Sequence, residues 1–366
     1  MKKIRGRLVD VDSVAELDRR IATGVRRLTG WHLVGLDLSA HGGWLRRVDV
    51  AGALFLGCRL QPGDEQSLRS RGAVVFPEPP GSPVEAYRSS LYTPAELYGD
   101  DGYEHSLDAR AYAWSHRPTD RERALAQALH DHAIDEALGG WVAEQVAAGR
   151  PLVGVMGGHA LTRAEPAFAE AARLGQLIGA SVTVATGGGP GAMEAANLGA
   201  RLAHTDAGFL SEVLSRIAVV PSYHPDIHAW ASVALEVTAE LTDPGVSLGV
   251  PTWHYGHEPP NVWATAVAKY FTNALREAVL LQICDAGVIF LPGAAGTAQE
   301  IFQDACENYY ADPGAVAPMV LVGRRHWTET VPAWQLLEGL AAERPLAEHI
   351  HLVDSVEEAA EVILGG

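Results

Sequence analysis

SVTVATGGGPGAMEAANLGARLA, residues 181–203, is the stretch that decides the fold. SVTVAT is a β-branched apolar run that reads as a buried strand, and the glycine-rich turn after it leads into PGAMEAANLGARLA, where apolar residues recur at helical spacing. Strand, turn and helix in direct succession make half of a βαβ unit. The same order recurs on both sides. PLVGVMGG (151–158) is a strand entering a turn, followed by the helix PAFAEAARLGQLIGA (166–180). VSLGVPTW (246–253) is a strand, and NVWATAVAKYFTNALREAVLLQICD (261–285) reads as one long helix. AGVIFLPG (286–293), TAQEIFQDACENYYA (297–311) and PMVLVG (318–323) give strand, helix and strand. HIHLVDSVEEAAEVIL (349–364) adds a last strand and a closing helix. This alternation predicts an α/β, Rossmann-like, doubly wound parallel sheet with helices on both faces and ligands at the C-terminal strand ends.

Outward from that core, residues 1–118 form an expected smaller N-terminal domain, mixed or β-rich and of accessory role. Its runs WHLVGLDL, VDVAGALFLGC and GAVVF read as short strands between turns, with no internal repeat. From Thr119 the pattern turns helical in TDRERALAQALHDHAIDEALGGWVAEQVAA, with Thr119 or Asp120 as the cap. HDHAID (130–135) is expected on a solvated face or in interdomain contacts. The nucleotide-binding domain is expected over 119–366, with an insertion near 206–244 whose SEVLSRIAVV and HAWASVALEVTAEL read as helices.

At 366 residues, 48% hydrophobic and 20% charged, the chain is long enough for two globular domains. A net charge of −17 without a Lys/Arg run excludes a nucleic-acid partner, whereas a free nucleotide can be held by backbone amides. Cys58, Cys284 and Cys306 form no CxxC pair, MKKIRGRLVDVDS meets charges before any signal core, and no apolar stretch is long enough to span a bilayer. A cytoplasmic protein without membrane contact is expected. His224 with His228, and His254 with His257 and Glu258, lack a known zinc spacing, so no metal is expected. Of the three lysines, Lys2, Lys3 and Lys269, only Lys269 could carry pyridoxal phosphate, and it falls inside the long predicted helix. GxxxxGK[ST] is absent.

Two loops carry the chemistry. In GGGPGAM (187–193) glycine lets backbone amides approach an anion at a helix N-terminus, and Pro190 suits a first helical turn. Gly187, Gly189 and Ala192 also satisfy a loose dinucleotide pattern with Asp206 downstream, but Asp206 falls at a helix end and loop rather than on the next strand. A strand-to-helix turn with no ligand would look the same. LPGAAGTAQE (291–300) offers a second cradle through Gly293, Gly296 and Thr297. Glu300 is expected in the first turn of the next helix, where a carboxylate also simply favours the helix dipole.

Together these loops resemble the Lonely Guy family of nucleoside 5′-monophosphate phosphoribohydrolases, long called lysine decarboxylases, and the related bacterial nucleotide 5′-monophosphate nucleosidases. The resemblance covers about residues 151–366, and Arg276 stands nine residues before Asp285, as the family's arginine stands before an aspartate. It implies hydrolysis of the N-glycosidic bond of a nucleoside monophosphate, with Arg276 and Glu300 as catalytic residues and no cofactor or metal. It further implies that Gly157, Gly158, Gly187, Gly188, Gly189, Gly191, Met193, Pro292, Gly293, Gly296 and Thr297 hold the nucleotide and its phosphate. A homodimer or higher homo-oligomer, paired through helices beside the site, is expected as well. The chain differs from the family at Ala294, where a second glycine is usual, at Glu277, where lysine is usual, and at Gly157–Gly158–His159, where a Ser-containing turn is usual. Two other readings stay open: a non-catalytic carrier of a nucleotide or nucleotide-like cofactor, and a dinucleotide-dependent oxidoreductase, which would want an acidic residue on the next strand.

Overall fold

The computed structural model describes residues 8–118, 120–255 and 258–365. Its chain divides into two units, Met1–Ser90 with Trp114–Ala137, and Leu91–Ala113 with Leu138–Gly366. The breaks fall after residues 90, 113 and 137.

In the first unit a strand that the sequence reading did not single out, β1 (Val9–Val11), precedes β2 (Trp31–Val34), β3 (Leu54–Leu56) and β4 (Val74–Phe76), into which the three apolar runs fold. All pair in parallel, in sequence order. Val9 faces Trp31, His32 faces Leu54 and Leu54 faces Val74, so each coil of about 20 to 22 residues lays one rung beside the last. This is a short solenoid, and it overturns the expectation of no internal repeat. Val11, Leu33, Phe55 and Val75 stack as its inner row. Gly30, Gly52 and Gly72 occupy equivalent corners with φ of 77°, 73° and 88°, and the Gly30 N–H donates to Gly52 O as the Gly52 N–H does to Gly72 O. The repeat is faint in the sequence because the returns differ: a helix Val14–Ala22, a 3-10 turn Ser39–His41, and a helix Asp64–Ser70.

The helix Arg121–Ala147 contributes residues to both units. Asp120 Oδ1 accepts the Arg123 N–H at 2.7 Å and caps it; Thr119, the other expected cap, lies outside the described residues. His130 and Asp131 are buried and 3.3 Å apart, whereas His132 is exposed, so only part of HDHAID is the solvated face expected.

The second unit holds β5 (Leu152–Met156), β6 (Thr183–Thr186), β7 (Ser247–Gly249), β8 (Ala266–Val267), β9 (Val288–Phe290), β10 (Met319–Val322) and β11 (Ile350–Val353). They form one parallel sheet in the order β11-β10-β9-β5-β6-β7-β8. The chain starts at β5, winds outward to β8, then returns to the other flank of β5 for β9 to β11. With right-handed crossovers, that reversal places helices on both faces. This is the α/β, Rossmann-like, doubly wound sheet the sequence predicts. β5, β6, β9 and β10 are buried at every residue, which is why they read as unbroken apolar runs.

Small residues bring the helix Pro166–Ile178 against Ala192–Arg201: a Cβ on Gly175 would lie 2.1 Å from Ala196 O. Residues 206–244, the expected insertion, form the helices Ala207–Ile217 and Ile227–Glu240, and Asp206 caps the first by accepting the Phe209 N–H. One prediction fails outright. Residues 261–285 are not one helix but a turn, β8, and the helix Asn273–Gln282. An apolar run rich in β-branched and aromatic residues cannot be told from a buried strand by period alone. Lys269 therefore lies beyond β8, not in a helix. Its Nζ sits 2.6 Å from Asp108 Oδ1, both side chains fully buried, and Asp108 also accepts from Trp253 Nε1–H and the Tyr103 hydroxyl. Lys2 and Lys3 lie outside the described residues. Residues 91–113 thus build this unit's core: Tyr92 exchanges backbone bonds with Val267, and the Tyr98 hydroxyl donates to Pro260 O at 2.6 Å. Among the described residues no helix is long and apolar enough to cross a membrane.

Candidate functional site

The strand order reverses between β5 and β9, and in doubly wound sheets the crevice at such a point binds ligands. Three loops meet there, from the ends of β5, β6 and β9. The Gly158 N–H donates to Pro292 O at 3.3 Å, and the Ala192 N–H donates to Gly158 O at 3.0 Å. Gly191 has φ of 77°, and a Cβ on it would lie 2.5 Å from Gly158 O; one on Gly157 would lie 2.8 Å from Ala192 Cβ. Glycine here serves the close approach of loop to loop. Gly188, with φ of 70°, would place a Cβ 2.7 Å from Pro251 Cδ. Its N–H donates to Thr186 Oγ1, its carbonyl accepts the Asn261 N–H, and Asn261 Nδ2 donates to Gly189 O. Residues 187–192 are accordingly buried, with several amides engaged inside the protein.

Beneath the loop lies an ion pair that no motif announced. Glu194 and Arg163 approach to 2.6 Å with both side chains buried, and Arg163 lies over the Trp230 ring at 4.7 Å. In the sequence Glu194 is one more polar residue in a helix. Met193 lies over the loop, its Sδ 2.7 Å from where a Cβ on Gly187 would sit.

The second cradle is more open. The helix Ala295–Tyr310 starts at Ala294 without a side-chain cap, and Ala294, Ala295 and Gly296 are exposed. Gly293 packs so closely on buried Thr297 that a Cβ would lie 2.1 Å from its Oγ1. Pro292 is exposed at the rim. Glu300 stands in the second turn rather than the first, where the dipole's pull on a carboxylate fades.

Arg276 joins the loops. From the first turns of Asn273–Gln282 its Nε–H donates to Val250 O at 2.9 Å, its Nη1 lies 3.9 Å from Glu300 Oε1, and its Nη2 lies 2.8 Å from where a Cβ on Gly187 would be. Arg276 and Glu300 are 12% and 16% exposed. Burial pushes the Glu300 carboxyl up to about 7, Arg276 opposing and Glu277 adding repulsion. Glu277 is held by Asn273 Nδ2 and Gln299 Nε2, each at 2.7 Å. Asp285 is exposed in the turn before β9. His159 Nε2 lies 3.9 Å from Glu258 Oε1. Among the described residues no group of three or more His, Cys, Asp or Glu is placed to hold a metal; His257 lies outside them.

No protein-family model matches the chain. No curated protein matches it. Several solved structures are similar to it. The molybdenum cofactor binding protein of the phototrophic bacterium Rippkaea orientalis is 18% identical over 59% of this chain and 96% of its own, with a TM-score of 0.37. The molybdenum cofactor carrier protein of Chlamydomonas reinhardtii is 19% identical over 59% and 99%, with a TM-score of 0.36. A structural-genomics target protein is 20% identical over 59% and 99%, with a TM-score of 0.38. The fold assignment rests on the strand order described above.

The arrangement offers one carboxyl raised by burial to about 7, a guanidinium beside it, and, one turn ahead of that carboxyl on the same helix, an uncapped helix start. Such a set can hold an anion and move a proton a short distance from it.

Proposed function

We propose that this protein binds a nucleoside 5′-monophosphate and hydrolyses its N-glycosidic bond to free base and ribose 5-phosphate. The observation that carries the reading is Arg276, which donates to Val250 O, lies against the Gly187 loop and stands 3.9 Å from Glu300. The 5′-phosphate sits at the start of the Ala295–Tyr310 helix, where Ala294 to Gly296 are exposed and no acidic side chain occupies the first turn. Binding energy gathered there fixes the ribose against Glu300. Cleavage passes through an oxocarbenium-like state; the ionised Glu300 stabilises it and takes a proton from the attacking water. A carboxyl whose pKa is about 7 accepts that proton more readily than an ordinary one and gives it up again near neutral pH, so that the hydroxyl ends on the ribose carbon and the proton, through solvent, on the departing base. Arg276 keeps enough of Glu300 ionised to act.

A carrier reading is favoured by the buried Gly187 loop, whose amides of Gly188 and Ala192 are already engaged, and by Ala294 in place of glycine. The two readings part in one experiment. The full chain is incubated with a panel of nucleoside monophosphates, and free base is separated by chromatography. Hydrolysis predicts release that Glu300→Gln abolishes while binding persists. Binding without release from any nucleotide establishes the carrier instead.

A further inference from the structure

The helix Asn273–Gln282 carries Arg276 and Glu277 in succession, and the helix Ala295–Tyr310 carries Gln299 and Glu300. The two helices are therefore bridged twice, side by side. Arg276 Nη1 stands 3.9 Å from Glu300 Oε1, and the Gln299 Nε2–H donates to Glu277 Oε2 at 2.7 Å. The first bridge is long, whereas the second is a short charge-assisted hydrogen bond. The other oxygen of Glu277 is held too: Asn273 Nδ2 donates to Glu277 Oε1 at 2.7 Å and to the Tyr255 hydroxyl at 3.0 Å. Asn273 is 8% exposed and its Oδ1 is buried without a partner, so the amide is turned wholly toward these acceptors at the cost of an unsatisfied carbonyl oxygen.

A half-buried glutamate gripped at both oxygens, by an amide of its own helix and one of the facing helix, is kept from swinging out into solvent. Neutral amides hold the carboxylate without cancelling its charge. The charged groups that act on Glu300 are Arg276, which favours its ionised form, and Glu277, which disfavours it, both from the facing helix. The Gly187 loop and Val250 bring no titratable side chain, and Asp304, one turn along Glu300's own helix, is itself raised by burial to about 8. We propose that Glu277, fixed by Asn273 and Gln299, is a positioning residue for Glu300: its charge, held beside the Arg276 and Glu300 pair, offsets the guanidinium and lets Glu300 take up and release a proton. Glu300 is the working carboxyl of the function proposed above, on which this inference rests, and no phosphate site enters.

The test titrates Glu300 in the ligand-free full chain by carbon NMR of its side-chain carboxyl, assigned by the signal lost in Glu300→Gln. Glu277→Gln removes the neighbouring charge and should lower the proton affinity of Glu300 about three- to tenfold. Glu277→Lys reverses the charge and should lower it further. Gln299→Ala, at an exposed position, keeps the charge but frees the carboxylate, and should lower it about two- to threefold. The acid limb of the base-release profile should move to lower pH by the same factors. A purely structural role would depress activity equally at every pH and leave the titration in place. An unchanged titration in Glu277→Gln and Glu277→Lys overturns the proposal. So does an unchanged titration in Gln299→Ala, which would show that the charge acts without being held. Either result leaves the nucleosidase reading standing. Absence of base release from the wild type removes that reading instead, and the titration still decides what Glu277 does to Glu300.

Discussion

Replacing Glu300 by Gln should stabilise the protein in mildly alkaline solution and leave it nearly unchanged in acid. Glu300 is 16% exposed, and its carboxyl rises from 4.5 to about 7 because burial disfavours the charge more than Arg276 favours it. A raised carboxyl pKa means that the native state binds the proton more tightly than the unfolded chain does. Its contribution is therefore complete below pH 4.5 and is lost as pH rises through about 7. At about 1.4 kcal/mol for each tenfold change in proton affinity, the ionised group costs about 3 kcal/mol at pH 8. Gln carries no charge at any pH, and Arg276 Nη1, 3.9 Å from the carboxylate, loses no close hydrogen bond. Urea unfolding of wild type and Glu300→Gln at pH 5, 6, 7 and 8 should show the variant's advantage growing by about 2 to 3 kcal/mol across that range. Asp304, also raised by burial, to about 8, is present in both proteins and cancels in the difference. An advantage that stays constant with pH, or shrinks as pH rises, would refute the assignment of a buried, proton-retaining carboxyl.

Arg276→Ala removes the donor to Val250 O and the charge opposing burial, so the Glu300 carboxyl should rise beyond its present value. Base release should fall roughly a hundredfold, with the activity profile displaced to higher pH. Lys269→Met strands Asp108 in the interior and should cost about 3 to 5 kcal/mol in urea unfolding. Adding Asp108→Asn should recover most of that loss, and failure to do so would show that the lysine acts through packing alone. Gly191→Ala combines a left-handed φ with a methyl 2.5 Å from Gly158 O, so Tm should drop by several degrees and ligand binding should be lost. An alanine variant with native Tm would mean that the loops at β5 and β6 are not held as described.

The sequence by itself determined what depends on near neighbours. Strands β5, β6, β9 and β10 were legible because each is a short apolar run broken by Gly or Pro, and the glycine loops because close backbone approach admits no other residue. Gly157, Gly191 and Gly293 stand where a side chain would collide with protein atoms of the neighbouring loop or helix, a constraint distinct from the approach to an anion that their pattern suggests. Local signals ended at residues 261–285, where composition suits a helix and a buried strand alike and the pairing of β8 with β7 settled the outcome. They ended also in the first unit, whose coils repeat in space more regularly than in letters, because only the inner row and the glycine corners are constrained. Tertiary structure alone set the chemistry of the candidate site. Arg276 lies against Gly187 and approaches Glu300 across long stretches of chain, Arg163 pairs with Glu194 beneath the loop, and Gln299 holds Glu277 from another helix. The reason is that backbone preference is decided within a few residues, whereas burial and the charge state of a carboxyl are decided by whatever the fold packs around it.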